Sequence, residues 1–109
     1  MLAMAATTWY ELLFGVLRIP ASRRRTALEQ YLFNTIRTEI PILPYDAKAA
    51  TWFAQERARL SGKGFSPSYP DGHVAAVAAT NDLVLVTCNV PDFAEFSDLR
   101  MENWFERVG

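Results

Sequence analysis

At 109 residues the chain holds enough material for a single hydrophobic core and too little for a multi-domain machine. Half of it is hydrophobic (50%) and 21% is charged, a balance that excludes a disordered tail. Lys+Arg 11 against Asp+Glu 12 leaves a formal net charge of -1, so no global positive field points to nucleic acid, and any such binding must come from a local patch.

The lone cysteine, Cys88, excludes a disulfide framework, and with a single histidine there is no zinc cage of the Cys/His type. A reducing cytoplasm is the compartment this implies. Residues 1–8 carry no basic signal-peptide start, and no apolar run approaches the ~20 residues that span a bilayer, so a soluble protein without membrane contact is expected.

Residues 1–8, small and apolar with two threonines, read as the end of a buried strand, near 2–6, or as a frayed leader. The run Trp9, Tyr10, Leu12, Leu13, Phe14, Val16 and Leu17 then covers most of a helix over 8–18, apolar enough to require burial on nearly all sides, in a core or against a partner. Ser22 reads as the N-cap of a second helix over 22–37, with Leu28, Tyr31, Leu32 and Ile36 at helical spacing. Its first turn holds Arg23, Arg24 and Arg25, the opposite of what the helix dipole favours. These arginines suit an RNA backbone or a solvated turn equally well.

Ile42 and Leu43 predict a brief strand over 42–44, ended by Pro44. Asp46 caps a third helix over 46–61, with Trp52, Phe53, Leu60 and alanines inward and Lys48, Glu56, Arg57 and Arg59 outward. Gly62, Gly64, Ser66, Pro67, Ser68 and Pro70 predict one long loop, a composition that more often carries function than structure. A small-residue helix follows over 71–80. The continuous apolar run at 83–88 then predicts a strand covered on both faces in a parallel sheet. Asn89, Pro91, Asp92 and Phe93 form a turn at its carboxyl end, where open parallel sheets place their sites. An edge strand over 99–103 and a tail at 104–109 complete the chain.

No phosphate loop, nucleophile elbow or pair of metal-binding histidines is present. The carboxylates are better placed. Glu11 lies within the most apolar helix, where a buried charge needs a cation, a cleft or a partner, although an exposed stripe position would also explain it. Asp71 precedes a helical run and is by position a helix N-cap as well as a candidate ligand. Asn89 and Asp92 are ordinary turn residues unless they converge with the other acids above one sheet edge. Such a set of oxygens suits Mg²⁺ or Mn²⁺. His73, in the same helix as Asp71, reads as a half-exposed helix histidine rather than a catalytic base.

Asp71-Gly-His-Val-Ala-Ala-Val-Ala-Ala, then Leu-Val-Leu-Val-Thr-Cys-Asn-Val-Pro-Asp-Phe at 83–93, then Leu99-Arg-Met-Glu-Asn-Trp, resembles the C-terminal half of PIN-domain ribonucleases of the VapC and FitB toxin type. Upstream, Thr7-Thr-Trp-Tyr-Glu-Leu-Leu-Phe-Gly resembles the family's Thr-x-x-Glu-Leu-x-x-Gly helix, and Ile42-Leu-Pro-Tyr-Asp its Leu-Pro-Phe-Asp segment. The resemblance runs in register from Ala5 to about Phe105.

It implies a three-layer α/β/α domain with a parallel sheet, and a Mg²⁺ or Mn²⁺ site at which clustered acids cleave RNA. Carried over by position, Glu11, Asp71 and Asp92 are the catalytic acids, Glu11, Asp71, Asn89 and Asp92 hold the metal, and Thr87 supports them. The expected partners are RNA, a small antitoxin on an apolar groove near the first helices, and a second copy of the chain.

The family's opening strand, with its Leu-Asp-Thr-Asn acid, has no counterpart in this sequence, and Cys88 stands where arginine is common in the family. The chain is therefore expected to be a single PIN-like domain over 1–109 lacking the first strand-helix unit, to bind metal weakly, and to cleave RNA slowly. The alternative is a catalytically degenerate remnant that acts in dimerisation or antitoxin binding.

Overall fold

The computed structural model describes residues 2–87 and 90–103. The chain divides into two compact units, Met1–Pro44 and Tyr45–Gly109.

In the first unit, β1 (Met4–Ala5) leads directly into α1 (Ala6–Leu17), and β2 (Ile42–Leu43) pairs with β1 in parallel, Met4 opposite Ile42 and Ala5 opposite Leu43. A parallel pair needs a long crossover, which the intervening helices supply. α1 contains no buried residue, and Tyr10, Leu12, Phe14 and Leu17 are all exposed. The near-complete burial expected of this helix is therefore not met within the chain, which leaves its apolar face exposed.

Ser22 caps α2 (Arg23–Tyr31) as its position predicts, its side chain accepting from the Arg25 N–H at 3.2 Å. The helix expected over 22–37 is not continuous. Leu32–Ile36 widens into a π-helix, closed by the Arg37 N–H on the Leu32 carbonyl, before α3 (Arg37–Glu39). Such a bulge shifts the register of the following turn and leaves no mark in residue type. Leu32 is buried in it, while Phe33 meets Trp9 edge-on at 5.5 Å.

The second unit starts with α4 (Ala47–Ser61), capped by Asp46, whose Oδ1 accepts from the Ala49 N–H at 2.9 Å. Ala49, Phe53, Glu56 and Leu60 form its buried face. Glu56 thus points inward, contrary to the outward placement its charge suggests. Its periodic position lies on the inner stripe, and its carboxylate stays ionised there because Arg59 and the Ser97 N–H both bond it.

α5 (Tyr69–Thr80) begins earlier than expected. Ser68 is its cap, accepting from the Asp71 N–H at 3.3 Å, so Asp71 is not the N-cap but sits in the first turn. Pro70 belongs to the helix because the first-turn N–H groups have no intrahelical partner to lose. α5 packs on α4, β3 and α6, and its Gly72, Ala75, Ala76, Val77 and Ala78 are all buried.

The approach is close at Gly72, where an added Cβ would collide with the buried Phe53 ring. Gly72→Ala is expected to cost about 1–3 kcal/mol of stability by overpacking, read as a lower midpoint in urea unfolding.

A tight turn through Asp82 (φ 56) reverses the chain into β3 (Val84–Val86), which pairs in parallel with β4 (Arg100–Glu102). Between them lies α6 (Val90–Phe93), packed on α5. Val84 is 42% and Val86 38% exposed, so the strand is not covered on both faces. Only the Leu85 side of its pleat turns inward, which is the pattern of a half-buried strand. No helix of the described residues is long and apolar enough to cross a membrane.

Candidate functional site

Glu11 lies midway along α1 in the first unit and is exposed. The solvated stripe position accounts for it without a buried partner. The remaining candidate metal-site residues belong to the second unit.

Asp71 is half-buried in the first turn of α5, where the positive end of the helix dipole favours a carboxylate. Thr87 follows β3 and extends its ladder, its N–H donating to the Glu102 carbonyl at 3.1 Å. Asp92 is exposed in the short α6. Asn89 lies outside the described residues, as do Cys88 and the tail at 104–109.

Asp71, Thr87 and Asp92 stand on three elements of the second unit that pack on or follow one another. α5 runs to Thr80, β3 returns along it, and α6 after β3 packs back onto α5.

The carboxylates of Glu11, Asp71 and Asp92 enter no hydrogen bond or ion pair among the described residues. They are hard oxygen donors not committed to internal partners, which is the donor chemistry that Mg²⁺ takes. Among the described residues, no group of three or more His, Cys, Asp or Glu side chains gathers as a metal cage.

The arginine triplet divides. Arg25 is engaged by its own surroundings, bonding Glu29 at 2.8 Å and the Ile19 carbonyl at 3.3 Å, while Arg23 and Arg24 are exposed.

The sequence reading does not single out a pocket of about 270 Å³ between α4 and the start of α5, lined by Tyr45, Phe53, Arg57, Tyr69 and His73. Tyr45 and His73 stack with ring centres 3.9 Å apart and planes 19° from parallel. Arg57 sits 4.7 Å above the Tyr69 ring and donates to its hydroxyl at 2.9 Å. Burial pushes the Tyr45 phenol above its ordinary pKa, so it stays a neutral donor at physiological pH. The four-residue spacings Phe53 to Arg57 and Tyr69 to His73 are visible in the sequence, but not that the two pairs face one another.

No family model matches the chain. Ribonuclease VapC2 of Haemophilus influenzae is 32% identical over 104 residues, covering 94% of this chain and 75% of the relative. The tRNA(fMet)-specific endonuclease VapC of Salmonella typhimurium is 29% identical over 103 residues, with the same two coverages of 94% and 75%. Among solved structures, FitAcB of Neisseria gonorrhoeae superposes with a TM-score of 0.88 at 27% identity, covering 94% of this chain and 75% of that one.

Parallel strands joined by helical crossovers, superposing on such a neighbour, define an α/β fold of the PIN-domain class. Within that class the likeness to ribonucleases extends over nearly the whole sequence. The chain belongs to the VapC family of toxin ribonucleases.

Proposed function

We propose that this chain is a metal-dependent endoribonuclease, the toxin of a toxin-antitoxin pair. The observation that carries the reading is the placement of Asp71, a half-buried carboxylate at the dipole-positive end of α5 whose oxygens bond no partner among the described residues, in a chain that belongs to a ribonuclease family.

Glu11, Asp71, Asn89 and Asp92 would hold Mg²⁺ or Mn²⁺, with Thr87 beside them. Such an ion would lower the pKa of an attacking water and offset charge that develops on the phosphate. The protein's own residues do the positioning. The first turn of α5 fixes Asp71 through the Ser68 cap, and the pairing of β3 with β4 fixes Thr87 at the strand's end.

The antitoxin partner has support in the first unit. Tyr10 and Phe14 stack along α1 with ring centres 6.0 Å apart, and both are more than half exposed, at 62% and 53%. Apolar anchors spaced along one helix suit a partner helix or a second copy of the chain.

The test is a cleavage assay of the full chain on RNA with Mg²⁺, with Mn²⁺ and with EDTA. Cleavage that needs the divalent ion is expected. Intact RNA in the presence of folded protein and Mg²⁺ would replace this reading with that of a non-catalytic binding module.

A further inference from the structure

We propose that the pocket between α4 and the start of α5 is a nucleobase-stacking subsite, which seats one unpaired base of a single-stranded RNA while Arg57 holds the adjoining phosphate. The proposal rests on the ribonuclease reading for its choice of ligand, and on the pocket's own chemistry for the site.

The lining offers flat aromatic faces and donors, and no carboxylate. Tyr45 and His73 are stacked, Tyr69 lies 24° from parallel to His73 with ring centres 6.5 Å apart, and the buried Phe53 meets both Tyr69 and His73 edge-on. These rings are held before any ligand arrives. Phe53 fixes their edges, and the Ser68 cap fixes the turn that bears Tyr69. Preorganised rings lose little freedom on binding, which is where affinity is usually forfeited.

Tyr69 is 58% exposed, and Arg57 lies over its ring. Bases stack on such faces whatever their sequence, and an arginine plane adds to the stack.

Size and charge narrow the occupant. Drug-sized ligands fill pockets of about 300–1,000 Å³. At about 270 Å³ this one suits a single planar ring system. The guanidinium of Arg57 has five N–H donors, of which one is bonded to the Tyr69 hydroxyl, and the residue is exposed, which leaves donors for an anion. A flat π-system joined to an anion is a nucleotide. Double-stranded RNA keeps its bases stacked inside the helix and presents no such face, so the ligand is a single strand or a loop.

Tyr69 and His73, four residues apart, share one face of the first turns of α5, while Asp71, two residues from each, lies on another face of the same helix end.

The test measures binding apart from cleavage. A fluorescein-labelled single-stranded RNA hexamer of mixed sequence is titrated with the full chain in EDTA, and anisotropy gives the Kd. Tyr69→Ala should weaken binding about five- to hundredfold, the usual effect of losing one base-aromatic stack. Tyr69→Phe should retain wild-type affinity, because the ring and not the hydroxyl is needed. A hairpin-free duplex should bind equally weakly to wild type and Tyr69→Ala, and thermal melts should show that both variants stay folded.

The proposal is overturned if the hexamer does not bind wild type, if Tyr69→Ala binds as wild type does, or if Tyr69→Phe loses as much as Tyr69→Ala. Unchanged RNA affinity with a weakened antitoxin complex in Tyr69→Ala would assign the pocket to a protein instead and overturn it. The two readings separate cleanly. Tyr69-dependent binding without cleavage in Mg²⁺ supports the subsite and removes the ribonuclease; cleavage with Tyr69-independent binding removes the subsite alone.

Discussion

In Asp71→Asn, RNA cleavage with Mg²⁺ is expected to fall about a hundredfold or more while the protein keeps its fold. The partners that merely orient metal ligands are worth about 10–100-fold in affinity or activity, so a direct ligand stands at or above the top of that range. The substitution is close to isosteric. The backbone N–H of residue 71 still donates to Ser68, so the cap of α5 survives, and the loss of a negative charge near the dipole-positive end costs only about 0.3–1 kcal/mol.

The measurement is kcat and KM over several Mg²⁺ concentrations, with a thermal melt of the same preparation. Asp98→Asn is the control for charge. Asp98 sits at φ 55, a conformation in which asparagine is at home, and it lies in the same unit. Activity retained in Asp71→Asn would mean that the residue serves only the helix end, and the metal assignment would have to be rebuilt around other oxygens.

How Asp71 reads in the sequence shows where such reading succeeds. Ser22 and Asp46 announce themselves as caps because each stands directly before an uninterrupted helical pattern, and both cap as expected. Before α5 the signal is masked by composition. Ser66, Pro67, Ser68 and Pro70 look like loop, and the true cap, Ser68, is hidden because Pro70 is taken as a breaker when it occupies the one turn that tolerates it.

The order of the strands and of the longer helices and the parallel pairing were legible from the apolar runs and from the resemblance they carry, but the turn expected around Pro91 and Asp92 is the short helix α6 (Val90–Phe93). The π-helix at Leu32–Ile36 was not, since an extra backbone residue per turn has no side-chain signature. The pocket at Tyr45, Arg57 and Tyr69 was also out of reach, because it depends on the register of α5 against α4. That register is set by the contact of Gly72 with Phe53, two residues whose periodicity says only that each faces inward.

Glu56 is the case in which residue type and position disagree, and position wins. Spacing from Ala49, Phe53 and Leu60 puts it on the inner stripe of α4, and its carboxylate bridges outward from there: Oε1 and Oε2 accept from Arg59 at 3.0 Å each, and Oε1 also accepts from the Ser97 N–H at 2.6 Å. Arg59 in turn donates to the Glu95 carbonyl at 2.7 Å. One carboxylate thereby ties α4 to the segment between α6 and β4, next to the buried Phe93 and Phe96.

Glu56→Ala is expected to destabilise the chain by about 1–3 kcal/mol, because the Ser97 N–H loses its acceptor in a partly buried place. For a domain near this size each kcal/mol lowers Tm by roughly 4–8 °C. Glu56→Gln keeps an acceptor for Ser97 and should lose less.

The pH dependence distinguishes the charge from the hydrogen bond. The Arg59 hydrogen bonds, with Ser97, hold the Glu56 carboxyl below its ordinary value of 4.5, outweighing the opposing effect of burial. A lowered folded pKa contributes stability that is fully present above the unfolded pKa and is lost as pH falls through the folded one. The Tm gap between wild type and Glu56→Gln should therefore be constant near neutral pH, narrow as pH falls below 4.5, and close once the folded carboxyl is protonated. A gap that does not change with pH over that window would mean that the ionised carboxylate adds nothing beyond its hydrogen bonds. In that case the inward placement of Glu56 would be explained by geometry alone.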